Sequence, residues 1–221
     1  MTDHQFSTLS ADLRMLAGQI PLHWGNIQNN KTDDQIDMFG IESYAELTKA
    51  LSPLPVDQQN YLRRRWYLWK CAQCDEYLFY VNANVQRNPD PCDKAYDIVV
   101  DGNIYFDVKG TVIPQSMRGD AESVIKDPRQ MIDFFYDHQS TGRRYDIQNR
   151  LFIVHHSFVD TARELFLRCA WQSKRAIYNT FCTNAKNIQF YHTHGVNAGV
   201  VFILERQKGV AEGVIYGMKA H

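Results

Sequence analysis

Residues 94–111 read KAYDIVVDGNIYFDVKGT, and this stretch decides the fold that we expect. β-branched and aromatic residues fill 95–100 and 103–109, which predicts two strands. Asp101-Gly102 lies between them, and this dipeptide is the strongest short signal for a hairpin turn. The two predicted strands therefore pair with each other as an antiparallel hairpin.

The hairpin brings acidic side chains together. Asp107 and Lys109 lie two residues apart on the second strand, so their side chains share one face of the sheet. Asp97 lies on the first strand. A three-residue or bulged turn sets Asp97 opposite Asp107, whereas a register one residue shorter sets it opposite Phe106, which points to the other face. The sequence leaves both registers open.

The grouped charges indicate a chemical role for this hairpin. Burying two carboxylates and an ammonium group is costly, and the carboxylates repel each other. A divalent cation removes that repulsion, and Mg²⁺ prefers a few carboxylate oxygens with several waters. Lys109 is then placed to orient a water for attack on a phosphodiester. The alternative is a structural ion pair, in which Asp107 pairs with Lys109 or with a partner elsewhere.

The arrangement of Asp97, Asp107, Val108 and Lys109 resembles the PD-(D/E)XK nuclease superfamily, which has the restriction-endonuclease-like fold. Its signature is an acidic residue on one strand and an acidic-x-Lys triplet on the next. The resemblance implies that Asp97 and Asp107 bind Mg²⁺, for which Mn²⁺ substitutes. It also implies that the Val108 carbonyl adds a ligand and that Lys109 serves the nucleophilic water. Tyr96 stands where the family name has Pro, at a position that varies.

Members of this superfamily often carry another acid on the preceding helix, and Glu76 is the candidate here. Helical spacing across 57–79 places Glu76 within an apolar stripe. The alternative is that the helix ends near Cys74 and that Glu76 begins an exposed turn. Gln130, on the helix after the motif, is a candidate cleft residue, and a solvated helix position is its alternative.

The rest of the chain predicts a mixed α/β sheet with helices on its faces. We expect helices at 7–18, 42–51, 57–79, 127–138 and 160–178, and further strands at 151–155, 188–191, 198–205 and 213–218. Ser52-Pro53-Leu54-Pro55 is the clearest break in the pattern. It divides a helical N-terminal extension, 1–54, from a restriction-endonuclease-like α/β domain, 55–221.

Composition restricts the class of protein. The 221 residues are 44% apolar and 22% charged with a net charge of −1, which is typical of a globular chain and not of a strongly basic one. No apolar run reaches the length of a membrane span, and the first residues lack the pattern of a signal peptide. We therefore expect a cytoplasmic, Mg²⁺-dependent endonuclease that acts on DNA, with a two-fold dimer favoured for cutting both strands.

Two other functions stay open at this stage. One is a non-catalytic module on the same fold that binds nucleic acid or another partner. The other is a small zinc protein, because Cys71-x-x-Cys74 has the spacing of half a zinc site and Cys92 is a third candidate ligand. Thiols packed on a helix are the plainer interpretation of the same cysteines.

Overall fold

The computed structural model describes residues 1–20, 32, 35–90, 95–138 and 149–218. Contacts between residues divide the chain into two compact units, Met1–Cys74 and Asp75–His221. This division falls inside a long helix, whereas the boundary expected from the proline-rich break falls just before that helix. Across the described ranges, no helix is both long enough and apolar enough to cross a membrane.

The first unit is helical. Its elements are α1 (Asp3–Leu16), α2 (Tyr44–Leu51) and the greater part of α3 (Val56–Tyr80). Thr2 and Ser43 cap α1 and α2 through capping boxes, in which each hydroxyl accepts an N–H of the first turn. Buried leucines on one side of each helix supply the apolar core of this unit. Helices α1 and α2 therefore lie within the described part of 1–54.

The second unit is built on a sheet, which has seven strands in the described part of the chain. The strands are β1 (Val85–Arg87), β2 (Ile98–Val100), β3 (Ile104–Val112), β4 (Asn149–Ser157), β5 (Tyr191–Thr193), β6 (Val196–Gln207) and β7 (Val210–Ile215). Their order is β1-β2-β3-β4-β6-β5, and β7 also pairs with β6. The pairs β3–β4 and β4–β6 are parallel and the others are antiparallel, so the sheet is mixed.

Helices cover both faces of this sheet. They are α4 (Ala121–Lys126), α5 (Arg129–Asp137), α6 (Glu164–Leu167) and α7 (Trp171–Asn184). On the α5 side, Met131 and Ile132 pack in one cluster with Phe152 and Val154 of β4. On the α7 side, Phe181 meets Phe106 of β3 with 5.6 Å between ring centroids. Burial on both faces explains the nearly continuous apolar sequence of β4 and β6.

The mixed α/β class and the hairpin are confirmed, and some element assignments were wrong. The helix expected at 160–178 is instead a short 3₁₀ turn, α6 and α7, with a break at 168–170. At that break the Arg168 carbonyl accepts a hydrogen bond from Nζ of Lys174, which fixes the interruption. Strand β1 and helix α4 were not predicted, since both are short and carry little apolar periodicity.

Candidate functional site

The hairpin between β2 and β3 forms with three residues in its turn. Ile98 pairs with Phe106, and the N–H of Asp97 donates to the Phe106 carbonyl at 2.8 Å. The paired ladder ends at Ile98, and the bond from the Asp97 N–H to Phe106 is one residue out of that register. Asp97 therefore lies just before β2 without forming a direct pair with Asp107.

The turn residues explain this register. Asp101 and Gly102 have φ values of 51° and 74°, a left-handed conformation that Gly and Asp adopt more readily than other residues. Three residues separate β2 from β3, and the N–H of Asn103 donates to the Val100 carbonyl at 3.3 Å. The longer of the two possible turns is therefore the one that forms.

The Asp97 carboxylate is held against β3. Its Oδ2 accepts the N–H of Val108 at 2.7 Å, directly beside Asp107 in sequence. Hydrogen bonding to a backbone N–H favours the charged carboxylate and fixes its direction. The expected role of the Val108 carbonyl as a ligand stays a prediction.

Asp107 pairs with a residue that the sequence did not single out. Arg150 lies opposite Asp107 on the neighbouring parallel strand, and its Nε donates to Oδ2 of Asp107 at 2.8 Å. The two side chains are 5% and 13% exposed, so the ion pair is shielded from water. The alternative to a metal site was a structural ion pair between Asp107 and a distant residue. Arg150 is such a residue. No pattern in the sequence marks a contact between residues 43 positions apart.

Glu76 lies on α3, as expected, because this helix continues to Tyr80, and the alternative of an end near Cys74 is excluded. Burial is the main cause that raises the pKa of Glu76 to about 7, and the negative charge of Asp97 is the second. Asp107 adds to this rise, whereas Arg87 opposes it. The candidate helix acid therefore lies within electrostatic reach of both hairpin carboxylates.

Lys109 is exposed on β3, two residues beyond Asp107 and next to Phe152 of β4 in the parallel register. The alternation of strand side chains gives Lys109 and Asp107 the same face. The acid and the lysine of the predicted acidic-x-Lys triplet therefore lie on one side of the sheet. The lysine is exposed to solvent.

Gln130 lies on a different part of the molecule's surface. It is exposed at the start of α5 and lines a pocket of about 620 Å³. The residues around this pocket come from the turn after β3, from α4, α5 and β5, and none of them is Asp97, Asp107, Lys109 or Glu76. Gln130 therefore lines a pocket to which the hairpin residues do not contribute, and its role as a cleft residue stays a prediction.

Tyr136 is the aromatic neighbour of the Asp107–Arg150 pair. Its ring centroid lies 5.6 Å from the Arg150 guanidinium carbon, and burial raises the pKa of its hydroxyl to about 12. Phe152 contacts the same guanidinium from β4, at 5.9 Å. Arg150 is therefore held between two rings and a carboxylate.

The described ranges contain no group of three or more His, Cys, Asp or Glu side chains arranged to hold a metal ion. Cys71 and Cys74 are buried thiols on α3. Cys92, the third candidate zinc ligand, lies outside the described residues. A zinc site built on Cys71 and Cys74 gains no support from the residues that the structure describes.

No protein-family model matches the chain, and comparisons with curated proteins and with solved structures give no significant match.

Proposed function

We propose that this protein is a Mg²⁺-dependent nuclease that hydrolyses phosphodiester bonds. The observation that carries the proposal is the hydrogen bond from the N–H of Val108 to the Asp97 carboxylate, which holds this carboxylate against β3 at the residue next to Asp107. Glu76 adds a third carboxylate from the preceding helix. Acidic groups brought together from three elements, at a cost in repulsion, are typical of cation-binding sites and of catalytic sites.

The donor set fits Mg²⁺ better than a softer metal. All three candidate ligands supply carboxylate oxygens, and no thiol or imidazole lies among them. The charges of Asp97 and Asp107 raise the pKa of Glu76. The three residues are not arranged as a complete three-ligand site within the described chain. Mg²⁺ tolerates such an open set because it keeps several of its waters and uses one or two carboxylates. When bound, this cation supplies charge stabilisation and a more acidic water.

The chain's own residues then have separate tasks. Asp97 and Asp107 bind the cation, and the N–H of Val108 keeps the Asp97 carboxylate facing β3. Lys109, exposed on the same face as Asp107, orients the attacking water toward the phosphorus. A positive side chain next to the reacting phosphate also stabilises the negative charge that develops in the transition state.

The finer features of the proposal follow from the resemblance. They are the restriction-endonuclease-like fold, DNA as substrate and a two-fold dimer for duplex cleavage. The order of elements supports the fold, since an acid on α3 precedes an acid before β2, an acidic-x-Lys triplet on β3 and then helix α5. The helices on both faces of the mixed sheet support it too.

The test is cleavage of linear and plasmid DNA by the purified protein with Mg²⁺ or Mn²⁺. Lys109→Ala is expected to slow cleavage by about 10²- to 10⁴-fold, the usual contribution of a positioned proton-transfer group. Calorimetry should show Mn²⁺ binding to this variant as to the wild type. Lys126→Ala, which removes another exposed lysine, is the matched control and should cleave normally. Wild-type protein that cuts neither DNA nor RNA and binds no cation refutes the proposal.

A non-catalytic nucleic-acid-binding module is the second candidate. The ion pair between Asp107 and Arg150 favours it, because this pair satisfies Asp107 without a cation. Such a module would bind nucleic acid equally well with and without divalent cations and would cut none. Filter binding in the presence of chelator, alongside the cleavage assay, separates the two functions.

A further inference from the structure

Arg150 contacts Asp107 through one nitrogen, as Arg206 contacts Glu212, and unlike several other arginines in the described chain. Three of those arginines each place two nitrogens on the two oxygens of one carboxylate: Arg118 with Glu164, Arg129 with Asp127 and Arg206 with Glu122. Arg150 uses Nε alone, and it contacts only Oδ2. Within the described residues, Oδ1 of Asp107 accepts no hydrogen bond from a side chain.

The guanidinium that makes this single contact is buried and packed. Arg150 lies on β4, which pairs on both edges with parallel strands. The rings of Tyr136 and Phe152 pack against the guanidinium, and the side chain is only 5% exposed. A fixed donor fixes the carboxylate that accepts from it, so Asp107 cannot rotate without breaking a buried hydrogen bond.

Charge balance alone does not explain this arrangement. A buried ion pair is costly to desolvate, and apolar residues of similar volume often give equal or greater stability. A lysine would balance the charge as well, but it cannot stack between two rings or donate from a rigid planar group. An arginine that packs near two aromatic rings and bonds to one carboxylate oxygen therefore indicates a role in orienting the Asp107 carboxylate.

We propose that Arg150 is a positioning residue, which holds Oδ2 of Asp107 so that Oδ1 is the oxygen that binds the divalent cation. The inference rests on the proposed nuclease function and assigns a residue that the acidic-x-Lys motif does not contain. Removing a group that orients a metal ligand typically weakens metal binding by about 10- to 100-fold.

The deciding variant is Arg150→Lys, which keeps the charge and loses the orientation. Titration with Mn²⁺, followed by calorimetry, is expected to show about 10- to 100-fold weaker binding than the wild type. Arg118→Lys alters another buried arginine ion pair, away from the hairpin, and should bind Mn²⁺ with unchanged affinity. Thermal unfolding of both variants establishes that they are folded.

Chemical rescue adds a readout that a purely structural role would not change. Guanidinium ion added to Arg150→Ala should restore Mn²⁺ binding and cleavage, and ammonium ion at equal concentration should not, because only guanidinium is planar. If Arg150→Lys is unfolded, Arg150→Gln replaces it in the titration. Gln keeps an N–H donor but lacks the planar cation of Arg150. The same loss of Mn²⁺ affinity is expected for this variant.

The outcomes separate this inference from the function on which it rests. Wild-type protein that binds Mn²⁺ and cuts DNA, with an Arg150→Lys variant that does both equally well, overturns the positioning role alone. Wild-type protein that binds no Mn²⁺ and cuts no nucleic acid overturns the nuclease proposal, and the role of Arg150 falls with it. Weaker Mn²⁺ binding by Arg150→Lys, normal binding by Arg118→Lys and rescue specific to guanidinium support it.

Discussion

Replacing Glu76 with Gln should stabilise the protein in alkaline, metal-free buffer. Burial and the nearby Asp97 raise the pKa of Glu76 from 4.5 to about 7 in the folded chain. This difference corresponds to about 3 kcal/mol, at about 1.4 kcal/mol for each pKa unit, and it is an upper value because some solvent reaches the site.

The sign of the effect follows from where the proton binds. Below pH 4.5 both the folded and the unfolded chain hold the proton on Glu76, so this group does not affect stability. Between pH 4.5 and about 7 the unfolded chain releases its proton while the folded chain keeps it, so the free energy of unfolding falls. Above that range the penalty is constant. Glu76→Gln removes it, because the amide never carries the charge.

Urea unfolding, followed by circular dichroism from about pH 4 to pH 8 with chelator present, measures this difference. The variant and the wild type should be nearly equally stable at the acidic end. At the alkaline end the variant should be more stable, by up to about 3 kcal/mol. Glu122→Gln is the control of opposite sign, because a hydrogen bond from Arg206 lowers the pKa of Glu122. A Glu76→Gln variant that is equally or less stable at pH 8 would refute the reasoning.

Two further predictions test the fold around the site. Lys174→Ala should lower the free energy of unfolding by about 3–5 kcal/mol, because it leaves Asp75 buried without its cation. Urea unfolding measures this, and a loss under about 1 kcal/mol would contradict the assigned ion pair. Gly102→Ala should destabilise by about 1–2 kcal/mol, because Gly102 has a φ of 74°. Gly119→Ala, where the added Cβ meets open space, is its control and should not lower the melting temperature. Equal melting temperatures for these two glycine variants would contradict the account of the turn.

The hairpin was predictable because its signals are local. Asp101-Gly102 determines the turn, and alternating side chains on either side determine which residues share a face. The register was not predictable, since two-residue and three-residue turns are both compatible with the sequence. The observed three-residue turn pairs Ile98 with Phe106, and the N–H of Asp97 also bonds to Phe106, so Asp97 forms no direct pair with Asp107.

The residues that the sequence did not reveal depend on distant partners. Asp75 is 3% exposed, and its carboxylate accepts a hydrogen bond at 2.8 Å from Nζ of Lys174, 99 residues later. Tyr178 donates to the same carboxylate at 2.9 Å. Arg150 is a similar case, because nothing around it in sequence indicates a contact with Asp107. Local patterns reveal faces and turns, and they do not reveal which buried charges meet.

The central claim is that Asp97 and Asp107 together hold a divalent cation. Crystals grown with Mn²⁺ and measured at its absorption edge test it most directly. The account predicts an anomalous peak about 2.1 Å from a carboxylate oxygen of each aspartate, with waters completing the coordination. Saturating Mn²⁺ with no peak between β2 and β3, and Asp107 bonded to Arg150 alone, would contradict it.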